Sequence, residues 1–239
     1  MAIRLKTSRV RRGRPVHLRS IELDHVGPID RLRVSFPRPP SPDAGQWIVI
    51  VGDEGAGKTT LLRAVAIALQ CSAAPIDVVH QCADRAAIDL SAIDLSACAP
   101  RVAVIDELDL HLHPRSQLAI IPRLRAAFPT TTFVVSTYSA LVLQGTRPGE
   151  VFLLARDHHA AARLTRHDVA PGLDADRLLT GAWFGLASTL DADTRTRLDR
   201  YRALLWADCP AADPERRHLE HLLRRRLGVS EVTRRLATG

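Results

Sequence analysis

The residues with the clearest chemical potential lie in the segment Gly52–Thr59, which has the sequence GDEGAGKT. It matches the pattern G-x-x-x-x-G-K-[ST] at every fixed position. The glycines of this pattern let backbone N–H groups surround a chain of phosphates, at the start of a helix whose dipole favours negative charge. The Lys58 ammonium would reach the β- and γ-phosphates, and the Thr59 hydroxyl would bind Mg²⁺. The predicted nucleotide-binding residues are therefore Gly52, Asp53, Glu54, Gly55, Ala56, Gly57, Lys58, Thr59 and Thr60.

Lysine usage supports this interpretation. The chain has 33 Lys and Arg residues, and only Lys6 and Lys58 are lysines. A compact ammonium and a planar guanidinium are not interchangeable at a phosphate loop. The alternative, a glycine-rich turn that binds nothing, does not explain why lysine is kept at position 58.

A second candidate pair, Asp106 and Glu107, follows the apolar run Val102–Ile105. Acids at the carboxyl end of a buried strand, downstream of a phosphate loop, suit metal and water chemistry. Asp106 would hold Mg²⁺, so the predicted metal-binding residues are Thr59 and Asp106. Glu107 would orient or deprotonate an attacking water. The alternative is an acidic turn that only closes a strand.

The elements around these residues predict an α/β fold. Short apolar runs at 47–51, 102–105, 131–137 and 151–154 are typical of buried parallel strands. A helix is predicted from Thr60, where the phosphate loop ends. Further helices are predicted over residues 116–128, over 87–97 and from Leu173 onward, and a short strand over 75–79.

The N-terminal part predicts a hairpin. Residues 16–23 and 31–36 alternate between apolar and polar types, and the segment 24–30 between them contains Gly27-Pro28. The segment 37–45 has four prolines and is predicted to be a surface loop. These boundaries suggest a basic flexible arm (1–17), a nucleotide-binding core (18–172) and a helical C-terminal extension packed on the core (173–239).

Charge and composition limit the possible classes. The net charge of +7 resides in residues 1–19, which hold seven basic residues and no acid. Such a segment would contact nucleic acid or an acidic partner, or would only keep the chain soluble. No apolar run approaches a membrane span, no signal peptide is evident, and the four cysteines lack metal-binding spacing. We therefore expect a cytoplasmic protein without membrane contact.

The segment Asp106–Pro114 (DELDLHLHP), with the later segment Ser136–Ser139 (STYS), resembles the ABC-type ATPases of the SMC/RecF/OLD branch. More closely, the chain is similar to small single-domain AAA-family ATPases of bacterial DNA-repair, mobile-element and antiphage defence loci. Its opening sequence IELDHVGPIDRLRVSF is similar to their first hairpin. The resemblance covers about Leu18 to Phe184.

This resemblance implies a three-layer P-loop NTPase head in which ATP and Mg²⁺ lie between two heads, hence a homodimer or a partner protein. It implies that Asp106 is the Walker B acid and Glu107 the catalytic glutamate, with Lys58 binding phosphate. Tyr138 stands where relatives have the histidine that senses the γ-phosphate. A phenol donates a hydrogen bond there but carries no positive charge at neutral pH.

The chain also departs from these relatives. The stretch between Lys58 and Asp106 is short and contains no Ser-Gly-Gly signature. Our leading hypothesis is an ATP hydrolase with slow, Mg²⁺-dependent turnover, acting as the sensor or switch of a multi-component system of the DNA-repair or antiphage type. The alternatives are a non-catalytic nucleotide-binding scaffold completed by a partner chain, and a nucleic-acid-binding module. Asp109, His111 and His113 form a further, weaker candidate metal site.

Overall fold

A computed structural model describes residues 2–8, 14–71, 78–81, 100–156, 161–170 and 172–237. The chain divides into two compact units, Met1–Phe184 and Gly185–Gly239. The sequence instead suggested a boundary between residues 172 and 173. The helix predicted over 87–97 lies outside the described residues.

The first unit is an α/β structure with a three-stranded and a six-stranded sheet. Its elements are β1 (Ala2–Thr7), β2 (Leu18–Val26), β3 (Ile29–Ser35), β4 (Trp47–Val51), α1 (Lys58–Gln70), β5 (Val78–Gln81), β6 (Val102–Ile105), α2 (Pro114–Ala127), β7 (Thr132–Ser136), α3 (Ala140–Leu143), β8 (Val151–Arg156), β9 (Ala162–Arg166) and α4 (Ala175–Thr180).

The six-stranded sheet has the order β5-β6-β7-β4-β8-β9. All neighbouring strands are parallel except β8 and β9, which are antiparallel. Every residue of β4, β6 and β7 is buried, as expected of central parallel strands that are covered on both faces. The carboxyl ends of β4 and β6 therefore lie at the same edge of the sheet.

Two hydrophobic clusters cover the two faces of this sheet. One joins Ile48, Ile50 and Phe152 to α1 and to the three-stranded sheet. The other joins Val49 and Val135, among others, to α2 and α3. Alternate residues of the same strand thus enter different clusters, which fixes the register of the sheet.

The three-stranded sheet has the order β1-β2-β3 and contains the N-terminal hairpin, β2 and β3. Its turn is shorter than the predicted segment 24–30, because Val26 already pairs with Ile29. Only Gly27 and Pro28 connect the strands, and Gly27 has the positive φ of +53° that favours glycine.

The prediction of a flexible arm over residues 1–17 is wrong for residues 2–7. They form β1, which pairs with β2 from Ala2 opposite Asp24 to Thr7 opposite Leu18. The reason is that Ile3 and Leu5 alternate with exposed residues and pack on the core beneath the sheet. On the exposed face, Arg4 lies opposite Glu22, which also pairs with Arg33.

The second unit is helical, with α5 (Ala192–Trp206), α6 (Pro214–Leu227) and α7 (Val229–Ala237). Leu198, Tyr201, Leu219 and Leu223 are buried between these helices. Among the described residues, no helix combines the length and the apolar composition that a membrane span needs.

Candidate functional site

The segment Gly52–Thr59 connects the end of β4 to α1, as predicted, but the helix begins at Lys58 rather than at Thr60. A Cβ atom on Gly52 would lie 2.1 Å from the carbonyl oxygen of Leu154 on β8. Gly57 caps α1 in the left-handed region, with φ of +103°. Both positions therefore require glycine, and the loop is held against the sheet on one side and the helix on the other.

Lys58 is the buried cation of this loop, with 4% of its surface exposed. Its Nζ donates hydrogen bonds to the carbonyl oxygens of Gly52, at 2.6 Å, and Asp53, at 2.8 Å. Burial lowers the pKa of Lys58 below its ordinary value, and nearby acids, Asp106 foremost, partly oppose this effect. The loop thus places one partly desolvated ammonium at the N-terminus of α1.

Tyr138 covers this ammonium from the side of β7. The centroid of its ring lies 3.8 Å from Lys58 Nζ. Burial raises the pKa of Tyr138 above its ordinary value, and the charge of Glu107 acts in the same direction. The phenol is therefore neutral at physiological pH and keeps its donor hydrogen.

Asp106 and Glu107 follow β6, and one hydroxyl links them. Ser136, at the end of the neighbouring strand β7, donates from Oγ to Asp106 Oδ1 at 2.5 Å. The same Oγ accepts the backbone N–H of Glu107 at 2.8 Å. Both Ser136 and Asp106 are buried. The hydroxyl thus fixes the buried carboxylate and the backbone of the next acid in one arrangement.

Glu107 has an unusual backbone conformation, with φ of +52°. Positive φ is uncommon for residues other than glycine, and it is found repeatedly at functional sites, where the surrounding structure holds it. Here the hydrogen bond to Ser136 and that from Leu108 N–H to the Ser136 carbonyl oxygen hold it. The Glu107 side chain is therefore directed differently from that of an ordinary strand residue.

Asp109 positions the segment that carries Tyr138. Its Oδ1 accepts the Thr137 hydroxyl at 2.5 Å and the Tyr138 backbone N–H at 3.1 Å. Gln117 on α2 extends this network, because it donates to the Asp109 carbonyl oxygen and accepts the Ser139 hydroxyl. The acidic loop after β6 and the polar segment after β7 are thus joined side by side.

The residues present fit a magnesium ion bound together with phosphates. Mg²⁺ in such sites takes one or two protein oxygens and completes its shell with phosphate oxygens and water. The Asp106 carboxylate and the Thr59 hydroxyl offer such oxygens. In the described part of the chain, no group of three or more His, Cys, Asp and Glu side chains is placed to hold a metal by itself. The alternative trio of Asp109, His111 and His113 is therefore wrong, and the His113 ring instead caps α2.

The turn of the N-terminal hairpin borders the phosphate loop. A Cβ on Gly27 would lie 3.2 Å from Thr60 Cγ2, so the turn packs directly on the first turn of α1. Arg156, at the end of β8, donates from Nη2 to the carbonyl oxygens of Pro28, at 3.3 Å, and Gly55, at 3.5 Å. One guanidinium therefore bridges the hairpin and the loop.

Sequence reasoning missed Ser136, Gln117 and Arg156. Ser136 stands in a strand of β-branched and apolar residues, and a lone serine at the end of such a run is the only local signal. Gln117 and Arg156 act through contacts far apart in sequence, and no spacing pattern reveals them.

Comparison with known proteins finds similarities to parts of the chain, and no protein-family model matches it. The Septu protein PtuA of Bacillus mycoides (strain KBAB4) is 38% identical over 108 residues, 45% of this chain and 15% of that protein. The Retron Vc95 probable ATPase of Vibrio cholerae serotype O1 biovar El Tor is 50% identical over 42 residues, 18% of this chain and 8% of the relative.

The Retron Ec83 probable ATPase of Escherichia coli is 43% identical over 53 residues, 22% of this chain and 10% of the relative. Two of the three relatives are thus described as probable ATPases. The matched segments span no more than 15% of the length of any of the three. The similarity to each of these relatives therefore covers less than half of the chain and a small part of that relative.

Proposed function

We propose that the chain binds ATP with Mg²⁺ and hydrolyses it slowly, as the sensor or switch of a multi-component system of the DNA-repair or antiphage defence type. The observation that carries this proposal is the linked arrangement of Lys58, Asp106 and Glu107 at one edge of the sheet. Two relatives described as probable ATPases favour ATP over other nucleotides.

In this reaction a water oxygen attacks the γ-phosphorus in line with the bond to the β-phosphate oxygen. That bond breaks, ADP leaves, and Glu107 accepts the proton of the water. The Lys58 ammonium and the N–H groups of the loop stabilise the negative charge on the transferred phosphoryl group. Thr59 and Asp106 would hold Mg²⁺, whose charge offsets that of the phosphates when it is bound.

Tyr138 takes part in this proposal as a hydrogen-bond donor near the terminal phosphate. Its ring contacts the Lys58 ammonium, and its raised pKa keeps the hydroxyl protonated. A neutral donor stabilises phosphate charge less than a cation does, which agrees with slow turnover.

The same proposal includes the type of fold, a three-layer P-loop NTPase core of the ABC and SMC-head type. It also includes the place of ATP, which is bound between two copies of the chain or between this chain and a partner protein. The buried clusters on both faces of the main sheet support three layers.

The second candidate is a non-catalytic scaffold, and one sequence feature favours it. The chain has no Ser-Gly-Gly segment, so a homodimer would lack the element that normally completes the opposite nucleotide site. In this case ATP binding orders the protein for a partner, or the partner chain supplies the missing element.

One experiment separates these candidates. Phosphate release from ATP is measured for the purified chain and for Glu107→Gln, together with the mass of the protein in solution with and without ATP and Mg²⁺. Turnover that disappears in Glu107→Gln supports the enzyme. Tight ATP binding without turnover in the unmodified chain excludes it and supports the scaffold.

A further inference from the structure

A recess lies in the first unit, at the opposite end of the main sheet from the phosphate loop. It is a cleft of about 490 Å³ near the amino ends of β4 and β8. Trp47 begins β4 and Glu150 precedes β8, and both line it. Its volume is within the usual range for small-molecule sites, about 300–1,000 Å³. Nothing in the nucleotide chemistry proposed above uses this cleft.

The lining of the cleft is basic. It contains four arginines, Arg38, Arg125, Arg147 and Arg166, and one acid, Glu150. Four positive side chains against one negative side chain leave a net charge that attracts anions. This excess is a property of the cleft itself, since the chain beyond its first 19 residues has equal numbers of basic and acidic residues.

The floor of the cleft is fixed by an ion pair and two rings. Arg125 donates two hydrogen bonds to Glu150, at 2.9 and 2.8 Å, and both side chains are mostly buried. The Arg125 guanidinium lies 5.1 Å from the centroid of the Trp47 ring, which stacks on Phe133 at 4.3 Å. Arg125 thus neutralises Glu150 within the floor, and the two rings restrict the movement of Arg125.

Several backbone N–H groups of the cleft already have acceptors. Arg147 N–H donates to Glu150 Oε2, Gly149 N–H to Asp168 and Gly45 N–H to the Pro129 carbonyl oxygen. The lining also includes five prolines, which have no N–H to offer: Pro37, Pro39, Pro40, Pro129 and Pro148. Few backbone donors therefore remain, and side chains are the main donors to an anion in this cleft.

Two guanidinium groups remain available for that role. Arg38 and Arg147 are exposed, and among the described residues neither guanidinium forms an ion pair. Arg166, in contrast, is paired with Asp168 at 3.1 Å. A guanidinium binds carboxylate and phosphoryl groups through two parallel hydrogen bonds, so two of them suit a ligand with two anionic groups.

We propose that this cleft binds a small organic or phosphoryl anion with at least two negative groups. Arg38 and Arg147 bind the anionic groups, and the floor of Trp47, Arg125 and Glu150 supports the rest of the ligand. The site is separate from Lys58, so it does not depend on the nucleotide function proposed above.

The test uses two probes and calorimetry without Mg²⁺. Citrate, a tricarboxylate, is titrated into the unmodified full chain. Inorganic pyrophosphate is titrated into the Lys58→Ala chain, where the phosphate loop has lost its ammonium. We expect at least one probe to bind with a stoichiometry of one. The double variant Arg38→Gln/Arg147→Gln should bind that probe about tenfold or more weakly than its parent chain does, since charged hydrogen bonds contribute about 1.5–3 kcal/mol.

Arg163→Gln is the matched control, because Arg163 is an exposed arginine of β9 that does not line the cleft. Its affinity for the probe should equal that of the parent. Far-ultraviolet circular dichroism checks that each variant is folded. Absence of binding by both probes overturns the proposal, and so does binding that the double variant leaves undiminished.

Discussion

The Lys58 ammonium lies 3.8 Å from the centroid of the Tyr138 ring, on the face of the ring where negative charge is concentrated. Two of its three donor hydrogens are directed to the carbonyl oxygens of Gly52 and Asp53. The ring therefore occupies the remaining side of a buried cation. Because Asp109 accepts the Tyr138 N–H, this contact is coupled to the loop that follows Asp106 and Glu107.

The variant Tyr138→Phe distinguishes the roles of the Tyr138 ring and hydroxyl, because it keeps the ring and removes the hydroxyl. We expect this variant to keep its ATP affinity within about threefold, because the ring face over Lys58 remains. Turnover should fall by up to about a hundredfold, as when one donor to a developing charge is removed. Tyr201→Phe, which changes the only other tyrosine, is the control. Unchanged turnover in Tyr138→Phe would exclude a catalytic role for the hydroxyl.

Lys58→Ala should abolish nucleotide binding, because the loop then has no cation to offset the charge of the phosphates. Binding is measured by calorimetry with ATP and Mg²⁺. Lys6→Ala, at the exposed lysine of β1, should bind ATP as the parent does. Equal ATP affinity in the Lys58→Ala and parent proteins would mean that the loop is not the nucleotide site.

The pH dependence of binding follows from the same lysine. Phosphates bind the protonated ammonium, and burial lowers the pKa of Lys58 below 10.5, the value of an exposed lysine. ATP affinity should therefore decline as the pH rises through the lowered pKa, before an exposed lysine loses its proton. Affinity is measured from pH 7 upward, and the Tyr138→Phe profile should decline at the same pH. An affinity that is constant up to pH 10.5 would contradict this assignment.

The sequence predicted the parts of the site that depend on local patterns. An apolar strand, the glycine and lysine spacing of residues 52–59 and the acid pair at 106–107 are each contained within a few consecutive residues. The structure places all three at one edge of the sheet. The predicted strands at 47–51 and 102–105 are confirmed to the residue.

What the sequence did not predict depends on partners distant in the chain. β1 was mistaken for an arm because its basic residues outweighed the alternation of Ile3 and Leu5, and its partner strand begins only at Leu18. β9 has the same alternating pattern, but only Ala162 and Leu164 are buried in it, so its apolar signal is weak. Ser136 is separated from Asp106 by 30 positions, so only the pairing of β6 and β7 reveals their contact.

Glu107→Gln should retain ATP binding and lose turnover. The amide has nearly the shape of the carboxylate but cannot accept the proton of the attacking water. The positive φ and the hydrogen bond from Glu107 N–H to Ser136 Oγ involve only backbone atoms of Glu107, so the variant should keep its conformation. Phosphate release and ATP affinity are measured together, and Asp30→Asn, at an exposed acid of β3, is the control. Turnover at the parent rate would exclude Glu107 as the base.

Ser136→Ala tests whether the hydroxyl between the two acids organises the site. Ser136 is fully buried, and its Oγ is both the donor to Asp106 and the acceptor of the Glu107 N–H. Its removal deprives both groups of a buried partner, so the free energy of unfolding should decrease by about 1–3 kcal/mol. Turnover should also fall, because Asp106 and Glu107 lose their common anchor.

The matched control is Ser35→Ala, at an exposed serine of β3, for which we expect a change of no more than about 0.5 kcal/mol. Urea unfolding measures the stability of both variants, and phosphate release measures turnover. The two readouts distinguish the possible roles of the hydroxyl. Lower stability with parental turnover would make Ser136 a purely structural residue, because the acids would then keep their catalytic geometry without it. Loss of both is expected if one hydroxyl fixes the Asp106 carboxylate, which we propose binds the metal, and the backbone of Glu107, which we propose is the base.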